Sequence, residues 1–432
     1  MHTVDGYDVV VVGGGPGGFA AAVAAARGGA KTVLLEREGC LGGGMTTMMV
    51  CPFMPHETSP GPDDAPRKVV NAGVFREMCE WMIARGGARD GRCIHFDDEC
   101  AKLVLDELAA EAGVRVVFHA ALFDALAADG RVTAATFAHN GGPLRVTGQV
   151  FIDGTGDALL AVQAGAEAEF GDGNGRVMPM TTKFIVGNVD GDRAPSGAEL
   201  KKLAVAGAND SPALVNTNVS CLAGKGEKRW VHFNAIRISG RNTVEPFDLS
   251  DAEAEGRRRV DNFVAWLKAN VPGYEECWLV KTGPHIGIRE SRRVTGDYVL
   301  SYDDWKACRR FDDAVACCSY GIDIHGDKQN QTNLQGMPPG GYYQIPYRCL
   351  TPKGLTNVLV AGRSISADVE AHSSLRIMPT VMCIGQAAGH AAAMCLPGGN
   401  VRSVDVRCLQ EAIRNAGGVL EPEAGEVGGG EG

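Results

Sequence analysis

Near the start of the chain, Gly13-Gly14-Gly15-Pro16-Gly17-Gly18 carries a G-x-G-x-x-G pattern, and Glu36 stands 18 positions beyond Gly18. Residues of these types at this spacing suit the binding of a dinucleotide. The glycines permit a turn tight enough to bring backbone N–H groups against a pyrophosphate, and the acid can accept both hydroxyls of an adenosine ribose. A second glycine cluster, Gly42-Gly43-Gly44, suggests a loop that approaches a ligand closely. Asp153-Gly154-Thr155-Gly156-Asp157 ends an apolar run in a glycine-rich turn flanked by acids, the kind of place where open α/β sheets bind ligands. Arg289-Glu290-Ser291-Arg292-Arg293 sets three arginines and a glutamate within five positions, either an ion-pair network or an anion site.

Regular elements must hold these groups. Residues 8–12 contain four consecutive valines and read as a strand buried on both faces; 19–26 read as an alanine-rich helix and 31–35 as the next strand. Asp97 or Asp98 caps a helix reaching Ala112. Residues 121–127, 131–138 and 144–152 form a three-stranded meander with turns at Asp129-Gly130 and Asn140-Gly141-Gly142. From about Glu169 the Val/Thr/Phe alternation marks a largely antiparallel second sheet, and Ser250 with Glu253 reads as a capping box for a helix to Asn270. Residues 358–363 return to the parallel-strand texture, 364–378 read as a loop, and Pro379 opens a helix over 380–395.

The expected fold is α/β: a three-layer, Rossmann-like dinucleotide-binding domain with a parallel sheet and β-meander, carrying an inserted, mostly antiparallel α+β substrate domain. The first part spans 1–168, the substrate or cap domain 169–345, the C-terminal part 346–408, and 421–432 reads as a disordered tail. With 432 residues, 45% of them hydrophobic, the chain can bury a sizeable core. A net charge of −10 leaves no basic excess, so neither nucleic acid nor an anionic membrane is expected as a principal partner. No apolar run approaches the roughly 18 residues of a membrane span, and the first strand is reached by Tyr7, so a soluble cytoplasmic protein is expected. The fourteen cysteines form no C-x-x-C pair and no zinc spacing. Most read as small core residues, whether the adjacent Cys317 and Cys318 bond to each other stays open, and no metal site is expected.

Taken together, these motifs resemble the FAD-oxidored family of FAD-dependent oxidoreductases, within the glutathione-reductase-like flavoproteins and related to the fumarate-reductase flavoprotein fold. The resemblance also rests on Ile345-Pro346-Tyr347-Arg348, Val360-Ala361-Gly362-Arg363, Ser374-x-Arg376-x-Met378-Pro379-Thr380 and Gly385-Gln386-Ala387-Ala388-Gly389. It implies that Gly13, Gly15, Pro16, Gly17, Gly18, Glu36 and Arg37 hold the ADP half of FAD. Gly42, Gly43 and Thr46 would pass along the pyrophosphate, ribityl chain or flavin, and Asp153, Gly154, Thr155 and Asp157 would lie near the adenine or pyrophosphate. Gly362 and Arg363 would sit by the ribityl phosphate, and Arg376, Met378 and Thr380 near the pyrimidine edge of the flavin. The Gly42 loop carries no histidine of the covalent-flavin kind, so FAD is expected to be noncovalent. No second G-x-G-x-x-G follows a strand, so a dedicated NAD(P)H domain is not expected, and the electron donor or acceptor stays open.

The resemblance implies hydride transfer between flavin N5 and a small organic substrate bound between two domains. His372 is the candidate acid or base, Arg376 holds a substrate carboxylate or the flavin, and Arg289 or Arg292 clamps an anion from the second domain. Cys51 and Tyr347 are candidate pocket residues. Two other readings are an alkene reductase like the fumarate-reductase relatives and an FAD-bound assembly or RNA-modification component with a chiefly structural flavin. A homo-oligomer is compatible with all of these.

Overall fold

In a computed structural model of the chain, residues 2–207, 221–223, 228–326, 332–396 and 398–423 are described. The valine run lies at the end of strand β1 (His2–Val12), and the glycine turn leads into helix α1 (Pro16–Arg27) and strand β2 (Thr32–Leu35). Val9 to Val12 pair in parallel with Thr32 to Leu35 on one side and with Val150 to Asp153 on the other, which buries them on both faces. β1 starts earlier than the valines suggest, because residues 2–4 extend it by pairing with Leu144 to Val146. Helix α2 (Val74–Ala84) and helix α3 (Asp98–Glu111) follow; Asp97 caps α3 by accepting from the Cys100 N–H at 2.8 Å. Strand β3 (Arg115–Val117) and the meander β4 (Ala121–Ala128), β5 (Arg131–Ala138) and β6 (Leu144–Asp153) complete this part. The β4–β5 turn holds Asp129 and Gly130 at φ +50° and +72°, the left-handed pair that an Asp-Gly hairpin favours.

A second, antiparallel sheet contains β7 (Met180–Asp190), β8 (Cys221–Ala223), β9 (Lys228–Ile238) and, after helix α4 (Pro246–Asn270), β10 (Trp278–Thr282), in the order β8-β9-β7-β10. Phe184 of β7, Phe233 of β9 and Phe263 of α4 form its aromatic core, with ring centroids 5.0 to 5.8 Å apart. α4 begins four residues before the expected capping box. Glu245 is its cap, accepting from the Phe247 and Asp248 N–H groups, Pro246 opens the first turn, and the Ser250 hydroxyl donates to the Pro246 carbonyl.

The C-terminal segment returns to the first sheet. Strand β11 (Val358–Val360) pairs in parallel with Phe151 to Asp153, while β5 pairs antiparallel with Leu144 to Thr147. One edge of β6 therefore serves two neighbours in succession, and the seven strands run β3-β2-β1-β6-β5-β4 with β11 on the second half of β6. The expected loop over 364–378 contains a helix, α5 (Val369–Leu375), because Asp368 caps it by accepting from the Ala371 N–H. Helix α6 (Met378–Met394) follows. Of the expected tail, Pro422 is buried and residues 424–432 lie outside the described residues. Thirteen cysteines, Cys317 and Cys318 among them, are free, and Cys317 donates to the Leu420 carbonyl. No described helix is long and apolar enough to cross a membrane.

α1 and α6 cross where the glycines of α6 let it rest on the backbone of α1. A Cβ on Gly385 would lie 2.1 Å from the Gly17 carbonyl oxygen, and one on Gly389 would lie 2.2 Å from that of Ala21. Gly389→Ala is expected to force the helices apart and lower stability by about 1–3 kcal/mol, measured as a shift in denaturant midpoint at unchanged slope.

Candidate functional site

A cavity of about 1080 Å³ runs from the glycine turn after β1 to the face of the second sheet. Small-molecule sites occupy roughly 300–1,000 Å³, so this one has room for a large ligand and for part of a second.

At the first end, α1 starts at Gly15 without any side-chain cap, so its leading N–H groups remain available to an anion. Gly13 has φ +91°, and a Cβ there would lie 2.8 Å from the Gly154 carbonyl; a Cβ on Gly17 would lie 2.3 Å from that of Ala361. Only glycine allows these approaches. The second glycine loop docks on the first through the Gly42 N–H, which donates to the Gly14 carbonyl at 2.8 Å. Glu36 accepts from the Gly14 N–H at 2.6 Å and from the Glu38 N–H at 2.8 Å. Burial raises its carboxyl from the ordinary value against the opposing pull of these two donors. Both oxygens are thus fixed, and Glu36 lines the cavity, as a ribose-binding acid requires. On the opposite wall, Arg363 donates to Asp157 at 2.8 Å and Ser291 donates to the same oxygen at 2.6 Å. The buried Arg363 Nε has no hydrogen-bond partner. An uncapped helix, side-chain-free turns, a fixed acid and an unmatched guanidinium nitrogen together fit a dinucleotide such as FAD.

The other end is lined by Lys183, Arg237, Arg289, Asp323, His325 and Arg376. Arg289 donates to the Pro179 carbonyl at 2.7 Å and to the Thr181 hydroxyl at 2.5 Å. Burial and the nearby Arg376 and Arg237 work against its charge, although a guanidinium stays protonated at neutral pH. Arg376 donates to the Asp323 carbonyl at 3.0 Å and lies 3.3 Å from its carboxylate, while its Nε is buried without a partner. Asp323 is also 3.2 Å from His325, whose other ring nitrogen is 3.0 Å from Arg237. Burial works to raise the Asp323 carboxyl, but His325, Arg376 and Arg289 outweigh it and draw it down to about 2. Among the described residues that line this end, three arginines and a lysine thus face one carboxylate.

β-Sheet geometry brings this set together. Thr182 of β7 pairs with Ile236 of β9, and Lys183 pairs with Asn234, leaving Ala235 as an extra residue in a bulge. Asn234 and Arg237, three positions apart, consequently both reach the cavity. Lys183, Arg237, Asp323 and His325 were not singled out by the sequence. The available signal was a lysine inside the apolar run Met180-Thr181-Thr182-Lys183-Phe184-Ile185-Val186.

Of the residues the sequence proposes, Gly13, Gly15, Pro16, Gly17, Glu36, Arg37, Gly43, Gly154, Thr155, Asp157, Gly362, Arg363 and Met378 line the cavity, as do Arg289, Arg376 and Cys51. Others stand behind its wall. A Cβ on Gly18 would overlap the Gly13 carbonyl oxygen, and one on Gly42 would meet Thr46. Thr46 donates to the Leu41 carbonyl, Thr380 contacts Asn71, and Asp153 accepts from Thr155 and the Ala161 N–H to brace its turn. Arg292 lies on the short strand paired with Ala168–Phe170, away from the lining. Tyr347 donates to the Val401 carbonyl in the core. His372 is 1% exposed on α5 and does not line the cavity. Burial, reinforced by Arg293, Arg376 and Arg363, keeps its ring neutral, well below the ordinary value. A capped helix in place of the expected loop turns it into the core. Among the described residues no cluster of His, Cys, Asp and Glu could hold a metal ion.

A family model described as FAD dependent oxidoreductase matches residues 8–413. No curated protein matches the chain. Solved structures similar to it include a geranylgeranyl bacteriochlorophyll reductase-like protein from Thermoplasma acidophilum, at 14% identity and TM-score 0.47, covering 96% of this chain and 84% of that one. The flavin-dependent brominase Bmp2 is 13% identical, with TM-score 0.46 and coverage of 95% and 83%. The p-nitrophenol 4-monooxygenase PnpA from Pseudomonas putida DLL-E4 is 13% identical, with TM-score 0.43 and coverage of 95% and 84%.

Two expectations follow from the two ends of the cavity. Glu36→Ala should weaken FAD binding by roughly 1.5–3 kcal/mol, the worth of a hydrogen bond to a charged group, as measured by titrating the apoprotein with FAD. Asp323 has a carboxyl held below its unfolded value of 3.8, so its contribution to stability is complete above pH 3.8 and is lost as pH falls to about 2. Asp323→Asn should therefore be less stable than the parent in denaturant titrations at neutral pH, with the difference closing across that acid window.

Proposed function

The chain belongs to the FAD-dependent oxidoreductase family, and from that premise we propose that it transfers a hydride between noncovalently bound FAD and a small organic anion. Bound FAD supplies a two-electron hydride acceptor or donor at flavin N5. Gly13, Gly15, Gly17 and the open start of α1 would receive its phosphates, with Glu36 on the ribose. Ile377 and Met378 at the start of α6 border the cavity, and a helix N-terminus there favours negative charge on a reduced flavin.

The observation that carries the anionic substrate is the charge imbalance at the far end. Among the described residues that line this end, Lys183, Arg237, Arg289 and Arg376 meet one carboxylate, that of Asp323, and buried cations without enough carboxylates are costly unless an anion joins them. Arg289 and Arg376 are placed to hold a carboxylate, and their fixed hydrogen bonds orient it. Lys183, Arg237, Arg289, Asp323 and His325 all come from 169–345, which supports reading that segment as the substrate domain. Alkene reduction remains a second reading, because the same cations suit an unsaturated carboxylate.

Anaerobic mixing with a panel of small molecules tests this reading. Carboxylates should bleach the oxidised flavin, or unsaturated carboxylates should reoxidise the reduced one, while uncharged alcohols of the same size do neither; equal response to charged and uncharged molecules would overturn it. Arg289→Gln should weaken the effective carboxylate by roughly 10–100-fold in KM, with FAD content unchanged.

A further inference from the structure

We propose that Lys183 is the proton-accepting catalytic residue of this site, and that the substrate is a carboxylate whose oxidised carbon carries a hydroxyl or amino group. The inference rests on the hydride-transfer reading above and adds the group that completes it.

Lys183 is only 4% exposed, yet it borders the cavity. Along β7, Thr182 meets Gly256 of α4 and Phe184 stacks in the aromatic core. Residues of a strand alternate, so Thr181 and Lys183 belong to the opposite face, where Thr181 receives Arg289. The Lys183 amine packs on Gly287, whose Cβ position would lie 2.7 Å from Nζ. It forms no hydrogen bond or ion pair with any described residue. Its polar surroundings supply little to hold a proton. Arg289, Arg376 and Arg237 are cations, and His232 of β9 is neutral, drawn down to about 4 by burial and by Lys183. Asp323 is committed to Arg376 and His325, and Lys281 of β10 is paired with Asp98 at 2.7 Å. Burial first, then Arg289 and Arg376, disfavours the ammonium and draws the lysine well below its ordinary value, toward the free amine that a proton acceptor needs.

The placement gives the amine a use. Where the arginines anchor a carboxylate, the neighbouring carbon and its O–H or N–H group come beside a free base. In the oxidative direction the C–H bond breaks and its hydride leaves with the electron pair for bound FAD. The O–H or N–H proton passes to Lys183 Nζ, and the carbon becomes a carbonyl or imine. The proton thereby stays within the site as an ammonium beside the substrate carboxylate.

The test uses the FAD-loaded protein with glycolate, lactate, malate, glycine, alanine and aspartate as probes. At least one should reduce the flavin anaerobically, and Lys183→Ala should slow that step roughly 10²–10⁴-fold at equal FAD content, abolish its dependence on an acid-side deprotonation, and recover with added methylamine. Lys183→Arg, which places a cation but no base there, should not recover the rate. In a second measurement, independent of turnover, reductive methylation with labelled formaldehyde should give a Lys183 resonance that titrates well below the other lysines. An unchanged rate and pH profile in Lys183→Ala would overturn the proposal, as would a resonance titrating with the exposed lysines. Reduction by succinate but by none of the probes would also overturn it while leaving the hydride-transfer reading intact. Failure of every carboxylate to exchange electrons with the flavin would remove both. Should Lys183→Ala fail to fold, the resonance of the native protein still decides.

Discussion

Contact between backbones is the constraint on which the rest of the structure depends. Gly13 meets Gly154, Gly17 meets Ala361 and Gly385, and Gly389 meets Ala21 at distances that leave no volume for a Cβ. These contacts draw together residues from the beginning, the middle and the end of the chain. Because the turn after β1, the end of β6, the end of β11 and the helix α6 touch through main chain, their N–H groups and helix ends crowd around one space. That space is the first end of the cavity. The energetic cost of so many glycines is a loss of conformational entropy, and the return is a ligand surface made of backbone that no side chain can obstruct.

The second end of the cavity obeys a different constraint, that of charge in a poorly hydrated interior. Arg237, Arg289, Arg376 and Lys183 arrive from β9, from the segment before the short strand Arg292–Val294, from the α5–α6 junction and from β7. Asp323 is shared between Arg376 and His325 and cannot neutralise all of them. A surplus of buried cations among the described residues is tolerable where a ligand completes the pairing, and it disfavours the ammonium form of the lysine among them. The guanidinium is the more weakly hydrated and more firmly protonated group, so repulsion falls on the amine.

The sequence made the first end legible and the second end largely illegible. Gly13 to Gly18, β2 and Glu36 are joined by short-range geometry, so their spacing along the chain is itself the geometry of the site. Asp97 as a cap, the Asp129-Gly130 turn and the meander were legible for the same local reason. Arg289 and Arg376 stood out by composition, although nothing local set them side by side. Lys183 lay hidden in an apolar run, and Asn234 with Arg237 would be assigned to opposite faces by simple alternation. The bulge at Ala235 that brings them to one face exists only because β9 pairs with β7. His372 shows the converse error, since Asp368 starts a helix where a loop was expected and carries the histidine inward.

By itself, then, the sequence determined a dinucleotide socket, its acid and the return of the C-terminal segment to the first sheet. These are encoded in residue types at fixed short spacings and in steric demands that only glycine meets. Tertiary structure alone decided which polar side chains share the far end of the cavity and how their charges sum. That outcome depends on strand register, on a bulge and on the packing of segments more than a hundred residues apart, which bring three arginines, a lysine and an aspartate to one end of the cavity.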